Sequence, residues 1–156
     1  MQNKIANFTP SKSGIRDLKF RSRWLKDRVK LPPRGLALRQ AILKGFAYQV
    51  AIDIAKDVNL DIKSFARLVD IKPATLNRRA KDGFFTQQES DRIYNFAEVF
   101  DTALALFEGK QDQAIIWLNT PARGLGGEIP MGLLKISTGA SDVITLLRSI
   151  DTSVLI

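Results

Sequence analysis

The chain has 156 residues and 45% hydrophobic content, enough for one domain or two small ones that bury roughly 70% of their unfolded surface, so wholesale disorder is excluded. It contains neither cysteine nor histidine, which removes disulfides, ordinary zinc sites and Ser-His or Cys-His nucleophiles, and leaves carboxylate, lysine or tyrosine chemistry as the only catalytic routes. The net charge of +8 is front-loaded, with +10 in residues 1–50, +1 in residues 51–93 and −3 in residues 94–156; such a gradient suits a polyanion, most simply nucleic acid, at the front and a different partner at the back.

Residues 1–34 are polar and basic and close on "KLPPRG". The apolar positions Ile15, Leu18, Trp24, Leu25 and Val29 allow a short amphipathic helix, and the segment is expected to be an arm that orders on binding, or else a solvated tail. Lys4, Asn7 and Lys12 interrupt any apolar signal core, and no run approaches the ~20 residues of a membrane span, so a cytoplasmic location is expected.

From Leu36 the pattern is helical throughout. Leu36–Lys44 is predicted as one helix, stopped by Gly45. A second runs from Phe46 to Val58, with Phe46, Val50, Ile54 and Val58 at i+4 steps. Asp61 occupies an N-cap position ahead of Ile62, Phe65, Ala66 and Val69, which share one face. After the turn "VDIKP", Pro73 suits the first position of the helix "PATLNRRAKDG", which Gly83 ends. Thr86 and Glu89 have capping-box spacing and open a long helix to about Glu108. Its two apolar stripes, one through Ile93, Phe96, Phe100, Leu104 and Phe107 and one through Val99, Ala103 and Leu106, imply burial on more than one side, within the domain or in a dimer. "QAIIWLN" is a short helix, Pro130–Ile136 another, and Ser141–Ile150 the last.

Two short helices joined by "VDIKP" have helix-turn-helix proportions. With Leu76 at the centre of the buried face, Pro73 and Ala80 fall beside it. Ala74, Arg78 and Lys81 then face outward, with Thr75, Asn77 and Arg79 on the flanks. Arginine suits guanine or phosphate, asparagine suits adenine, and threonine can meet a thymine methyl or a phosphate. The competing reading is a solvated cationic helix. Lys72 stands at the N-cap, where a cation opposes the helix dipole unless a phosphate lies nearby. The DNA-contact set is therefore Lys72, Ala74, Thr75, Asn77, Arg78, Arg79 and Lys81.

The stretch "WLNTPARGLGGEIPMGLL" at residues 117–134 has the glycine content of a phosphate cradle but not its context. A nucleotide loop follows a strand and carries a lysine after its glycines, whereas a helix precedes this one and Glu128 would repel phosphate. The physical reading is a structural turn: Trp117 and Leu118 anchor it, Pro121 ends one helix, Gly126 and Gly127 reverse the chain, and Pro130 starts the next helix.

The order "ATLNRRAKDG…TQQESDRIYNFAEVFDTALALF" followed by "AIIWLNTPARGLGGEIPMGLL" and "TGASDVITLLRSI" resembles the Xre/MbcA/ParS-like antitoxins of RES–Xre toxin–antitoxin systems, over residues 35–153. The resemblance implies an all-α protein, with an N-terminal helix-turn-helix domain joined through a long helix to a small helical toxin-binding domain. The implied segments are an arm at 1–34, a DNA-binding and dimerisation domain at 35–108 and a toxin-neutralising domain at 109–156. It further implies a homodimer within a larger toxin–antitoxin complex, binding to its own operator, and neutralisation of a RES-domain toxin that consumes NAD. The antitoxin would be no enzyme, with no cofactor and no metal.

Family members lay their C-terminal end in the toxin's active-site cleft, which would place Arg148, Ser149, Asp151, Thr152, Ser153, Val154, Leu155 and Ile156 at the toxin. The usual glycine after the last isoleucine is replaced here by "SIDTSVLI", so that contact transfers as a segment only. Val154, Leu155 and Ile156 form an apolar chain end that either meets a partner or folds back on the protein. The alternative function is a stand-alone helix-turn-helix regulator whose C-terminal domain dimerises or senses a ligand.

Overall fold

The computed structural model describes residues 24–153. Among the described residues seven α-helices follow one another: α1 (Leu36–Lys44), α2 (Tyr48–Asp57), α3 (Ile62–Leu68), α4 (Pro73–Asp82), α5 (Gln87–Leu106), α6 (Gln111–Leu118) and α7 (Ser137–Ser153). A wide turn at Trp24–Arg28 lies before α1, and two 3₁₀ turns, Arg123–Leu125 and Pro130–Leu133, link α6 to α7. Among the described residues there are no strands, only two isolated bridges.

The start signals in the sequence act as their chemistry demands. The Asp61 carboxylate accepts from the Ser64 N–H at 2.7 Å. Thr86 Oγ1 accepts from the Glu89 N–H, and the Glu89 side chain accepts from the Thr86 N–H at 2.8 Å, which closes the capping box that opens α5. Each satisfies donors that a helix start leaves without partners. Gly45 ends α1 at φ 93°, and a Cβ there would lie 2.1 Å from the Phe85 carbonyl oxygen. Both the backbone angle and the close approach require glycine.

The 20-residue α5 is the axis of the molecule, with α1, α6, α7 and the Trp24–Arg28 turn packed against it. Its second stripe is consumed inside the chain: Val99, Ala103 and Leu106 are as buried as Ile93, Phe96 and Phe100. Neighbours within the chain thus cover both apolar stripes of α5. One continuous core runs from Trp24 to Leu147 across the expected division at residue 108. Phe65 meets Phe96 edge-to-face at 5.0 Å between ring centres, joining α3 to α5.

Three sequence expectations change. The expected arm is not free along its whole length, since Trp24, Leu25, Val29 and Leu31 are buried in the core. Trp24 packs edge-on against Phe100 at 4.9 Å and donates its indole N–H to Asp57 at 3.1 Å. Arg28 also binds Asp57, at 2.6 Å, and Arg34 reaches Glu98 on α5 through its Nε at 3.0 Å. A strap of two ion pairs and four apolar side chains is therefore part of the fold. The rest of the arm, residues 1–23, lies outside the described residues.

The last helix is longer than the predicted Ser141–Ile150, because "STGA" joins it. Gly139 lets the first turn of α7 sit against the Leu133 carbonyl oxygen, where a Cβ would lie at 2.0 Å. The Pro130 helix is shorter than predicted, a 3₁₀ turn that ends at Leu133.

Candidate functional site

Helices α3 and α4 form the expected helix-turn-helix. Asp70 takes a left-handed φ of 57° between them, and the Ile71 N–H returns to the Ala66 carbonyl at 2.8 Å. Aspartate tolerates that conformation better than most residues. Arg92 on α5 donates to the carbonyls of Val69 (2.7 Å) and Asp70, holding the turn from behind. Helix α4 ends at Gly83, whose carbonyl accepts from the Tyr48 N–H at 2.8 Å and ties α4 to the start of α2.

The face that α4 presents differs from the helical-wheel expectation by a rotation. Leu76 is buried, but Pro73 and Ala80 are exposed, whereas Thr75 and Arg79 are partly covered. The inward side thus lies toward Thr75 and Arg79, and the outward side carries Ala74, Asn77, Arg78 and Lys81, all exposed, with exposed Lys72 at the N-cap. A side chain at position 79 can reach α5, and arginine does so for a specific reason. Its Nε donates to both oxygens of Glu89, at 2.8 and 3.1 Å, and its Nη1 lies 3.4 Å from Asp82. Burial pushes the Glu89 carboxyl up, but the Arg79 guanidinium and the Thr86 N–H outweigh this and hold it below its ordinary range. Arg79 is therefore committed inward as a buttress between α4 and α5. Its separation from Arg78 rested on tertiary contact that the wheel did not contain.

The motif "ESDR" now divides into roles. Glu89 closes the capping box and receives Arg79, Ser90 Oγ accepts from the Phe46 N–H at 2.8 Å, and Arg92 braces the helix-turn-helix turn. The capping box was announced by its spacing, but nothing in the local periodicity announces Arg79, Phe46 or Val69, which lie 10 to 44 residues away.

The glycine stretch is a closed turn. The Ala122 N–H donates to the Glu128 carbonyl at 3.0 Å, Gly127 returns to the Ala122 carbonyl at 2.9 Å, and Gly126 and Gly127 have φ of 67° and 83°. Trp117, Leu118 and Pro130 are buried, while Pro121 is exposed beyond the end of α6. Gly124 meets the Leu146 side chain of α7, so close that a Cβ would lie 2.5 Å from it. The turn thus seats α7, whose Ala140, Val143, Ile144 and Leu147 form the buried stripe packed on α5.

Toward the chain end, Arg148 and Ser149 are exposed, the Ser149 hydroxyl donates to the Leu146 carbonyl, and Asp151 is partly buried. Thr152 and Ser153 continue the backbone of α7. Val154, Leu155 and Ile156 lie outside the described residues. Among the described residues no acidic group cluster could hold a metal, and no helix is long and apolar enough to cross a membrane.

A helix-turn-helix with an amide and cations on its outer face, continued by one long helix into a second helical module, defines the class: a helix-turn-helix protein with an appended C-terminal helical domain. Residues 37–98 match the family described as the antitoxin Xre-like helix-turn-helix domain, and residues 102–152 match the antitoxin Xre/MbcA/ParS C-terminal toxin-binding domain. The antitoxin Xre of Yersinia enterocolitica is 36% identical over 138 residues, covering 87% of this chain and 92% of that protein. The antitoxin Xre of Photorhabdus laumondii is 35% identical over 103 residues, 66% of this chain and 63% of that one. The chain belongs to the Xre antitoxin family, whose members are non-enzymatic regulators.

Proposed function

We propose that the protein neutralises a cognate RES-domain toxin by direct binding and blocking of its active site, and represses its own operon as a homodimer on operator DNA, in the cytoplasm. The observation that carries the DNA half is the outward face of α4. Asn77 and Arg78 are placed there to read base edges, while Lys81 and Lys72 meet phosphate. Ala74 permits close approach, and Thr75 contacts the backbone from the flank. Arg79 acts on this interface indirectly, by fixing the angle of α4 against α5.

The toxin half rests on membership in an antitoxin family whose C-terminal domain is described as toxin-binding, over a segment that includes Arg148, Ser149 and Asp151. Thr152 closes that segment, and Ser153 to Ile156 carry the blocking contact beyond it. Residues 1–23 add phosphate contacts of the kind that steepen salt dependence.

Co-expression tests the reading. The protein should rescue growth of cells that express the RES-domain toxin encoded beside it, and should retard a fragment of its own promoter with an affinity that falls steeply with salt. Rescue without promoter binding would remove the repressor half. Promoter binding without rescue would favour a stand-alone regulator. Deleting Ser153–Ile156 should weaken rescue and spare promoter binding; full rescue by the truncated protein would exclude the plugging role.

A further inference from the structure

The toxin-binding region carries an apolar surface that its own fold does not use. Ile116 is 53% exposed, Ile129 44% and Ile136 64%, and no other large hydrophobic residue described within 102–152 is comparably exposed. They belong to elements that pack on one another. Ile116 lies on the side of α6 opposite the buried Ala114, Trp117 and Leu118, and α6 rests on the Pro130–Leu133 turn. Ile129 enters that turn, and Ile136 leaves it and accepts the first N–H bond of α7, from Ala140.

None of the three is needed by the core, since Pro130, Met131 and Leu134 already anchor the turn. A β-branched side chain is stiff, so burying it against a partner costs less rotamer entropy than burying Met or Lys.

We propose that Ile116, Ile129 and Ile136 are the apolar anchors of the surface on which the toxin docks, distinct from the C-terminal tail. This rests on the toxin-neutralising reading above. The occupant is the toxin because the three residues fall together in the segment described as toxin-binding. The spacing also suits one partner. Helix α7 starts beside Ile136 and ends at Ser153, roughly 24 Å away at the helical rise of about 1.5 Å per residue. A standard interface of about 800 Å² per partner is roughly 30 Å across. One toxin subunit of that footprint can therefore reach from Ile136 to the end of α7 at Ser153, the isoleucines giving affinity and the tail blocking the cleft.

The test uses the full chain carrying Ile116→Asp, Ile129→Asp and Ile136→Asp together, titrated against the purified toxin by calorimetry. Exposed positions should leave the melting temperature and promoter retardation unchanged, while toxin affinity falls by roughly 100-fold or more, as for anchors at an interface centre. A triple Ile→Thr variant keeps the β-branched shape and should lose affinity in the same direction by less, which guards against a folding defect in the aspartate variant. Leu36→Asp with Leu43→Asp, the exposed apolar pair on α1, should leave toxin affinity intact.

Wild-type toxin affinity in both triple variants overturns the proposal and leaves the antitoxin reading standing. If instead the triple variants turn a dimer into a monomer at unchanged toxin affinity, the surface joins two copies of this chain and the proposal also fails. Failure of the unaltered protein to bind the toxin would overturn both readings.

Discussion

The helix-turn-helix and the C-terminal region that share α5 face solvent with opposite chemistry. On the first, α4 turns Asn77, Arg78 and Lys81 outward, whereas on the second the surface offers Ile116, Ile129 and Ile136. Cations rest comfortably in water and exchange counterions when a polyanion arrives. Exposed isoleucines gain only when a surface covers them. The same helix nevertheless lies in the core of both regions, so their functions separate at the surface while their stabilities do not.

The sharpest challenge to that comparison is a substitution in the shared core. Phe100, which packs against Trp24 from the N-terminal strap, is fully buried on α5. Phe100→Ala should cost about 3–5 kcal/mol, and should weaken promoter retardation and toxin rescue together, in a single thermal transition. Two separate transitions would show that the helix-turn-helix and toxin-binding regions fold as independent units.

A surface change should split what the core change joins. Arg78→Ala with Lys81→Ala is expected to lower promoter affinity by about 10- to 100-fold, since a base contact is worth roughly 1–3 kcal/mol and each phosphate contact contributes to the salt slope. Rescue from the toxin should persist. Unchanged gel retardation by this variant would mean that another surface meets DNA.

Arg79→Ala probes the buttress rather than the interface. Losing a charge-assisted bond to a mostly buried Glu89 should cost about 1–2 kcal/mol. Its effect should appear in the melting temperature as well as in DNA affinity, whereas the Arg78 variant moves affinity alone. Equal melting temperatures for the wild-type and Arg79→Ala proteins would return Arg79 to the contact surface.

The smallest effect concerns pH. Glu89 is held below its ordinary range in the folded state, so its ionised form stabilises the protein above about pH 4.5, and that contribution is lost as pH falls below this value. Tyr94 behaves in the opposite sense. Burial, then the Glu98 carboxylate, push its phenol up to about 12 against the opposing Arg34 charge. Stability from neutral Tyr94 is present below about pH 10 and is lost as pH rises toward about 12. Denaturation followed against pH should show Glu89→Gln flattening the acid limb and Tyr94→Phe the alkaline limb. Unaltered limbs in both variants would remove these two groups from the pH dependence.

Elements built from local chemistry could be read in advance. The Asp61 cap, the Thr86–Glu89 capping box, Pro73 at a helix start and Gly45 and Gly83 at helix ends each involve atoms within a few residues, so sequence spacing contains them. The resemblance to Xre antitoxins was legible for the same reason, as an order of such local motifs. Boundaries failed where a distant partner intervened. The Trp24–Leu31 strap read as an arm until α5 and Asp57 supplied its partners, and the predicted start of the last helix at Ser141 missed the turn that packs Gly139 on the Leu133 carbonyl.

By itself, then, the sequence determined the all-helical composition, the helix-turn-helix and the basic outer surface of α4, because helical period, capping and charge are properties of neighbouring residues. Only the tertiary structure decided which arginine remains outward. Arg78 and Arg79 are adjacent and chemically identical, and they differ because α5 brings Glu89 to one of them. It also decided that both functional regions share one core, since burial is a property of what packs against a residue and not of the residue alone.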